Sequence, residues 1–184
     1  MPIKSDRSGQ ITLILGGTRS GKSSFAQKLA EESENQLVYI ATAEAFDQEM
    51  AERIKRHQHD RGPDWQTIEE SRDIAATIAA RSSPQVTILV DCLTIWLSNL
   101  MLTDTDIEAA SEKLIDALKA APGSVILVSN EVGSGIVPES PLGRKFRDEA
   151  GRMNQRVAAV SNNVALIVAG LPLWLKSSQA EGRP

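Results

Sequence analysis

Two short stretches of the 184-residue chain carry side chains spaced for chemistry. The first, "GGTRSGKS" at 16–23, fits the pattern G-x-x-x-x-G-K-[ST] between an apolar run and a helical pattern. Gly16 and Gly21 let the backbone curl, so that N–H groups along Gly17, Thr18, Arg19 and Ser20 face a phosphate. The N-terminus of the helix that follows adds its partial positive charge. Lys22 then reaches the β- and γ-phosphates, and the Ser23 hydroxyl is placed to ligate Mg²⁺. The bland alternative, a chance glycine-rich turn, leaves the flanking strand and helix unexplained.

The second stretch is "RIKRHQHDR" (53–61), which holds both histidines of the chain. On a helix, residues two apart lie about 200° around the axis from each other, so His57 and His59 point to different sides. A zinc pair wants i, i+4 spacing, which they lack. Arg53, His57 and Arg61 do follow at i, i+4, i+8 and share a face, presenting an imidazole between two guanidiniums. Such a face suits an anionic phosphate chain, and a neutral imidazole can attack phosphorus to form a phosphoramidate. A solvated basic helix accounts for the same pattern, and the residues alone leave both open.

An Mg²⁺ partner for the phosphate loop is expected at the end of a neighbouring buried strand. Asp91, closing "VTILVD", fits, although an aspartate there also serves as a helix cap; Thr94 follows as cap, core or support. The guanine-reading Asn-Lys-x-Asp of signalling GTPases is absent, "SNEVG" (129–133) being the nearest stretch. Arginines 144, 147, 152 and 156 have the makings of a kinase lid or of a solvated helix face.

The elements that must position these groups alternate. Buried strands are expected at 11–17, 36–42, 86–92, 124–130 and 163–170, the last closing the sheet, with a short edge strand at "DWQTIEE" (64–70). Helices are expected at 22–33, where Phe25, Ala26, Leu29 and Ala30 share a face, at 71–80 capped by Ser71, and at 95–101. Further helices follow at 104–120, opened by Asp104 with Ile107, Leu114, Ile115 and Leu118 inward, and at 144–161 after a Gly/Pro-rich loop (131–143). The polar segment 44–61, with Met50 and Ile54 four apart, reads as a surface helix. The tract 164–175 reads as a buried strand and a turn, too short for a membrane span. Strands apolar throughout, alternating with helices, imply an α/β fold with a mostly parallel sheet covered on both faces.

Length and composition fit one globular domain, 41% hydrophobic and 24% charged, with polar ends at 1–9 and 177–184. A net charge of −4 argues against general affinity for nucleic acid. The single cysteine, Cys92, excludes an internal disulfide, and the N-terminus has no apolar signal run, so a reducing cytoplasmic setting is expected.

The chain resembles the bifunctional adenosylcobinamide kinase/adenosylcobinamide-phosphate guanylyltransferases of cobalamin biosynthesis, from about residue 11 to about 176. The resemblance rests on "LGGTRSGKSSFAQKLA", "VYIAT", "EMAERIKRHQHDRGPDWQTIEE", "LVDCLTIWLSNL", "NEVGSGIVPESPLGRKFRDEAGRMNQRVA" and "VALIVAGLPLWLK". It implies a P-loop (RecA-like) sheet and a homotrimer. It also implies two reactions: phosphorylation of adenosylcobinamide by ATP or GTP, then transfer of GMP from GTP to that phosphate through a guanylylated histidine. Carried over by motif, His57 is the nucleophile. Gln58, His59, Asp60, Arg61, Glu69, Asp91 and the "IAT" of Ile40, Ala41 and Thr42 fall at nucleotide-contacting positions beside the phosphate loop. Relatives carry a second histidine just before the nucleophile, where this chain has Arg56. The loop after 130 makes Asn130, Glu131 and Arg144 candidates for the corrinoid or acceptor side, and Arg152, Asn154 and Gln155 ties of the last helix to its neighbours or to another subunit. A simple P-loop kinase and a nucleotide-dependent switch are the rival readings.

Overall fold

The computed structural model describes residues 9–44, 62–103 and 105–178. Its strands are β1 (Ile11–Gly16), β2 (Gln36–Ala41), β3 (Trp65–Glu69), β4 (Val86–Asp91), β5 (Ser124–Asn130), β6 (Asn163–Val168) and β7 (Leu171–Lys176). They form one seven-stranded sheet in the order β3-β2-β4-β5-β1-β6-β7. All neighbouring pairs are parallel except β6 and β7. The central strands are buried along nearly their whole length, as expected of continuous apolar runs with both faces covered.

Helix α1 (Lys22–Glu31) covers one face, with Ala26 and Ala30 against Ile14, Leu89, Ile126, Val128 and Ile167. The opposite face carries α2 (Ile74–Arg81), α3 (Leu93–Leu102), α4 (Ile107–Ala120) and α5 (Pro141–Val160), packed on Leu13, Ile40, Ile88, Val90 and Leu127. Trp96 anchors that layer at 1% exposure, its indole N–H donating to the Arg72 carbonyl at 2.7 Å.

Several boundaries differ from the sequence expectation. Asp73, not Ser71, caps α2 by accepting from the Ala76 N–H at 3.1 Å, while the Ser71 hydroxyl bonds the Glu44 carboxylate. Asp106 opens α4 through the Ala109 N–H; Asp104 lies outside the described residues. At α2 the nearer oxygen, that of Asp73, wins the orphan N–H of the first turn. Helix α5 starts a turn earlier than 144, because Ser140 caps it and Pro141 tolerates the first helical position. Helix α3 starts at Leu93 rather than 95.

The largest difference lies after 168. Residues 163–170 do not close the sheet, since Ala169 and Gly170 form a turn and "LPLWLK" returns as the antiparallel edge strand β7. Pro172 is tolerated there because a strand at a sheet edge leaves half its N–H groups without ladder partners. At the other edge, β3 lies where "DWQTIEE" predicts an edge strand. The polar segment 45–61 lies outside the described residues.

Candidate active site

The strand order brings four carboxyl-terminal ends together along one sheet edge: β2 with Thr42, β4 with Asp91, β5 with Asn130 and β1 with Gly16. Ligands of open α/β sheets sit at such edges. Asp91 does not lie on a strand adjacent to β1, as the sequence reading supposes, because β5 is inserted between β1 and β4. Register pairs Gly16 with Asn130 and Asp91 with Val128.

The loop from Gly16 to Lys22 has the backbone of an anion cradle. Arg19 and Gly21 adopt left-handed φ values of 57° and 93°, which turn successive N–H groups toward one side. A Cβ on Gly16 would overlap the Ser20 hydroxyl and come within 2.9 Å of the Ile167 carbonyl, so only glycine fits. Helix α1 begins with no side-chain cap and no acidic residue in its first turn, and its first backbone bond runs from Phe25 N–H to the Gly21 carbonyl at 2.9 Å. Among the described residues the N–H groups of Gly21 to Ser24 have no backbone acceptor, whereas that of Ser20 donates to the Gly17 carbonyl at 3.3 Å, so the helix start remains to be satisfied by something anionic. Lys22 folds back, its ammonium donating to the Gly17 carbonyl at 3.2 Å. Gly17, Thr18 and Arg19 are exposed, and Ser20 and Ser23 half-buried.

Across the edge, the Tyr39 hydroxyl donates to Asp91 Oδ2 at 3.2 Å, which orients the carboxylate while leaving Oδ1 for another partner. The Asp91–Cys92 peptide is cis. The Thr42 hydroxyl, fully buried, donates to the Cys92 carbonyl at 2.9 Å and accepts from the Cys92 N–H at 2.8 Å. Asn99 of α3 donates to the Thr42 carbonyl at 2.8 Å. Thr94 Oγ1 accepts from Asn130 Nδ2 at 2.7 Å and lies 3.2 Å from Cys92 Sγ. Burial pushes the Cys92 thiol above its ordinary range and Asp91 pushes it the same way, against hydrogen bonds from Thr94 and Ile95 and the charge of Lys22. The thiol thus feels Lys22 and Asp91 together, with opposite effects.

The side chains named from the sequence divide. Lys22, Ser23 and Asp91 belong to this edge. Ile40 is packed in the core on the face away from α1, Ala41 is buried, and Thr42 is engaged with Cys92; Glu69 stands exposed at the end of β3. Asn130 supports Thr94, and its carbonyl accepts from Asn154 Nδ2 at 3.2 Å, so Asn154 does tie α5 to β5. Glu131 accepts from the Gly133 and Ser134 N–H groups, and Arg144 donates to the Pro138 and Glu139 carbonyls, so both brace their own loop. Arg152 pairs with Glu149 within α5, and Gln155 is exposed. His57, Gln58, His59, Asp60 and Arg61 lie outside the described residues.

Two contributors escape the sequence reading. Asn99 signals itself as one amide in the apolar run "IWLSNLM", where a buried polar group needs partners. Gly170 follows Ala169 between two apolar runs, a two-residue hairpin signal, and its N–H donates to the Ser20 carbonyl at 2.8 Å.

Comparison with known proteins places this geometry among relatives. Residues 12–175 match the family model described as cobinamide kinase / cobinamide phosphate guanyltransferase. The chain is 47% identical over 166 residues to the bifunctional adenosylcobalamin biosynthesis protein CobP of Pseudomonas aeruginosa, covering 89% of this chain and 96% of that one. It is 41% identical over 179 residues to the bifunctional adenosylcobalamin biosynthesis protein CobU of Escherichia coli K12, covering 89% and 98%. Among solved structures, the flagellar accessory protein FlaH of Methanocaldococcus jannaschii superposes with a TM-score of 0.54 at 14% identity, covering 96% of this chain and 82% of that one. At that identity the likeness is one of fold.

Proposed function

The chain belongs to the cobinamide kinase / cobinamide phosphate guanyltransferase family, and from that premise we propose how its residues divide the two reactions. The enzyme is a bifunctional transferase of adenosylcobalamin biosynthesis. It phosphorylates adenosylcobinamide and then guanylylates the product. The nucleotide donors are ATP or GTP for the first step and GTP for the second, and residues 1–184 act as one nucleotide-binding domain.

In the kinase step the side-chain hydroxyl of the corrinoid attacks the γ-phosphorus. The bond from that phosphorus to the bridging oxygen breaks, and negative charge collects on the leaving β-phosphate. Lys22 stabilises that charge, while free N–H groups of the loop and of the start of α1 bind the phosphates; the support for this is the uncapped start of α1 behind the Gly16–Gly21 curl. Mg²⁺ bound with the nucleotide neutralises charge across the phosphates. The Ser23 hydroxyl and the Asp91 carboxylate, oxygen donors of the hardness it prefers, would hold it, and Tyr39 occupies only Oδ2 of Asp91.

In the guanylyl step a ring nitrogen of His57 attacks the α-phosphorus of GTP and pyrophosphate leaves, giving a phosphoramidate. A phosphate oxygen of the corrinoid then attacks the same phosphorus, the P–N bond breaks, and His57 returns with GDP-cobinamide released. Arg53 and Arg61, four positions either side of His57 in the sequence, suit the triphosphate. Gln58, His59, Asp60 and Glu69 hold the guanine nucleotide, whereas the side chains of Ile40, Ala41 and Thr42 are buried.

The protein works in the cytoplasm as a homotrimer. Among the described residues no helix is long and apolar enough to cross a membrane, and the lone cysteine is free and buried. Self-association is supported by the exposed apolar row Leu171, Leu173, Trp174 and Leu175 on edge strand β7.

The test is incubation with GTP labelled at the α-phosphate, followed by denaturation. Acid-labile, alkali-stable label that disappears in His57→Ala but persists in His59→Ala is the expected result. An active wild type that never acquires label leaves a P-loop kinase without a covalent intermediate, and hydrolysis with no transfer to any small acceptor leaves a switch.

A further inference from the structure

The turn between β6 and β7 stands directly behind the phosphate loop. Ala169 and Gly170 have φ of 52° and 79°, the paired left-handed values of a two-residue hairpin whose twist matches its strands. The Gly170 N–H reaches the Ser20 carbonyl at 2.8 Å. A Cβ on Gly21 would lie 3.2 Å from the Gly170 Cα, so turn and loop are in van der Waals contact. A second contact lies farther along the hairpin, where Trp174 of β7 meets Phe25 of α1 edge-on with ring centroids 6.2 Å apart.

A trans peptide is planar, and its C=O and N–H point in opposite directions. Holding the Ser20 carbonyl toward the hairpin therefore turns the next N–H, that of Gly21, away from the hairpin. Among the described residues that N–H has no acceptor, and Gly21 is exposed. We infer that Gly170 is a positioning residue for nucleotide binding, its N–H locking the Ser20–Gly21 peptide so that the Gly21 N–H is aimed at a phosphate of the nucleoside triphosphate. The inference rests on the reading of 16–23 as the phosphate loop and extends it to a residue about 150 positions away. Pre-organising the peptide removes an ordering cost from binding rather than from the chemical step.

Position 170 allows a clean perturbation. A Cβ there meets nothing within 4 Å, so a substitution acts through the backbone alone. Valine resists the left-handed region whereas asparagine visits it readily. With the full-length protein and Mg²⁺-guanosine 5′-(β,γ-imido)triphosphate as probe, Gly170→Val should weaken binding about tenfold and Gly170→Asn by no more than about threefold. The kcat at saturating GTP should stay within about threefold of wild type in both, so that the loss falls on KM. In ¹H–¹⁵N spectra the Gly21 amide should shift on adding the probe to wild type, and shift far less in Gly170→Val. Should Gly170→Val fail to fold, exchange of the Gly170 amide in wild type decides: the inference requires protection with and without nucleotide, and free exchange overturns it. Equal affinity of folded Gly170→Val and wild type, or an undiminished Gly21 shift, also overturns it. Lys22→Ala separates the two levels. If it binds the probe as wild type does, the phosphate-loop reading fails and the inference falls with it; if it loses binding while Gly170→Val does not, only the inference falls.

Discussion

Replacing Thr42 with valine keeps the side chain's shape and removes one hydroxyl. That hydroxyl accepts from the Cys92 N–H at 2.8 Å and donates to the Cys92 carbonyl at 2.9 Å, a carbonyl that also accepts from the Trp96 N–H at 3.1 Å. Thr42 is fully buried and Cys92 is 5% exposed, so water cannot readily replace it. The Cys92 N–H left unpaired costs about 2 kcal/mol, and the carbonyl, which keeps the Trp96 N–H, loses one hydrogen bond worth about 1 kcal/mol, about 3 in all. The new methyl group returns about 0.8 kcal/mol through added apolar burial. The net loss is about 2 kcal/mol, which for a domain of this size lowers Tm by about 6 °C. Thr42→Ser keeps the hydroxyl and loses only a methyl, costing about 1 kcal/mol and about 3 °C. Denaturant unfolding at a fixed protein concentration reads both values free of association effects. A Thr42→Val protein within about 1 kcal/mol of wild type, or a Thr42→Ser protein equally impaired, would refute the idea that this hydroxyl clamps the Asp91–Cys92 junction.

Three further outcomes follow from the same edge and its surroundings. Asp91→Asn keeps an acceptor for Tyr39 and should leave Tm nearly unchanged while lowering kinase turnover about 100-fold or more at saturating nucleotide, checked by melting and by phosphoryl transfer in parallel. The Cys92 thiol, raised chiefly by burial and next by Asp91, should resist iodoacetamide in the native protein at a pH where it reacts readily in urea. A folded value above the unfolded one contributes stability that is complete below the ordinary thiol range, about 8.5, and is lost as pH rises through the folded value; unfolding free energies measured across that interval should decline in wild type more than in Cys92→Ala. Arg156→Ala, which removes an exposed ion pair with Glu108, should give no measurable change in Tm or in either activity.

The legible part of the fold was that written locally. A continuous apolar run such as 86–91 can satisfy itself only between two covered faces, and the i, i+3/i+4 spacing of Phe25, Ala26, Leu29 and Ala30 marks a helix wherever it docks. Helix starts were less legible, because Ser71 and Asp73 are equivalent as sequence and differ only in which oxygen reaches an N–H. The strand at 171–176 was obscured by Pro172 and by side chains that are exposed along its whole length, so no burial pattern marked it.

The site divides in the same way. "GGTRSGKS" specifies a phosphate loop by itself, since the curl, the helix start and the lysine are consecutive and their geometry depends on a few φ values and one helix terminus. Asp91 and the histidine stretch stand in the sequence only as residue types suited to such chemistry. Which strand separates Asp91 from that loop, what clamps Cys92, and what holds the Ser20 carbonyl were decided only by the tertiary structure. Those answers involve Asn130, Thr42 and Gly170, residues brought together by strand order and register. Strand order emerges from burying both faces of the whole sheet at once, and no local spacing records it.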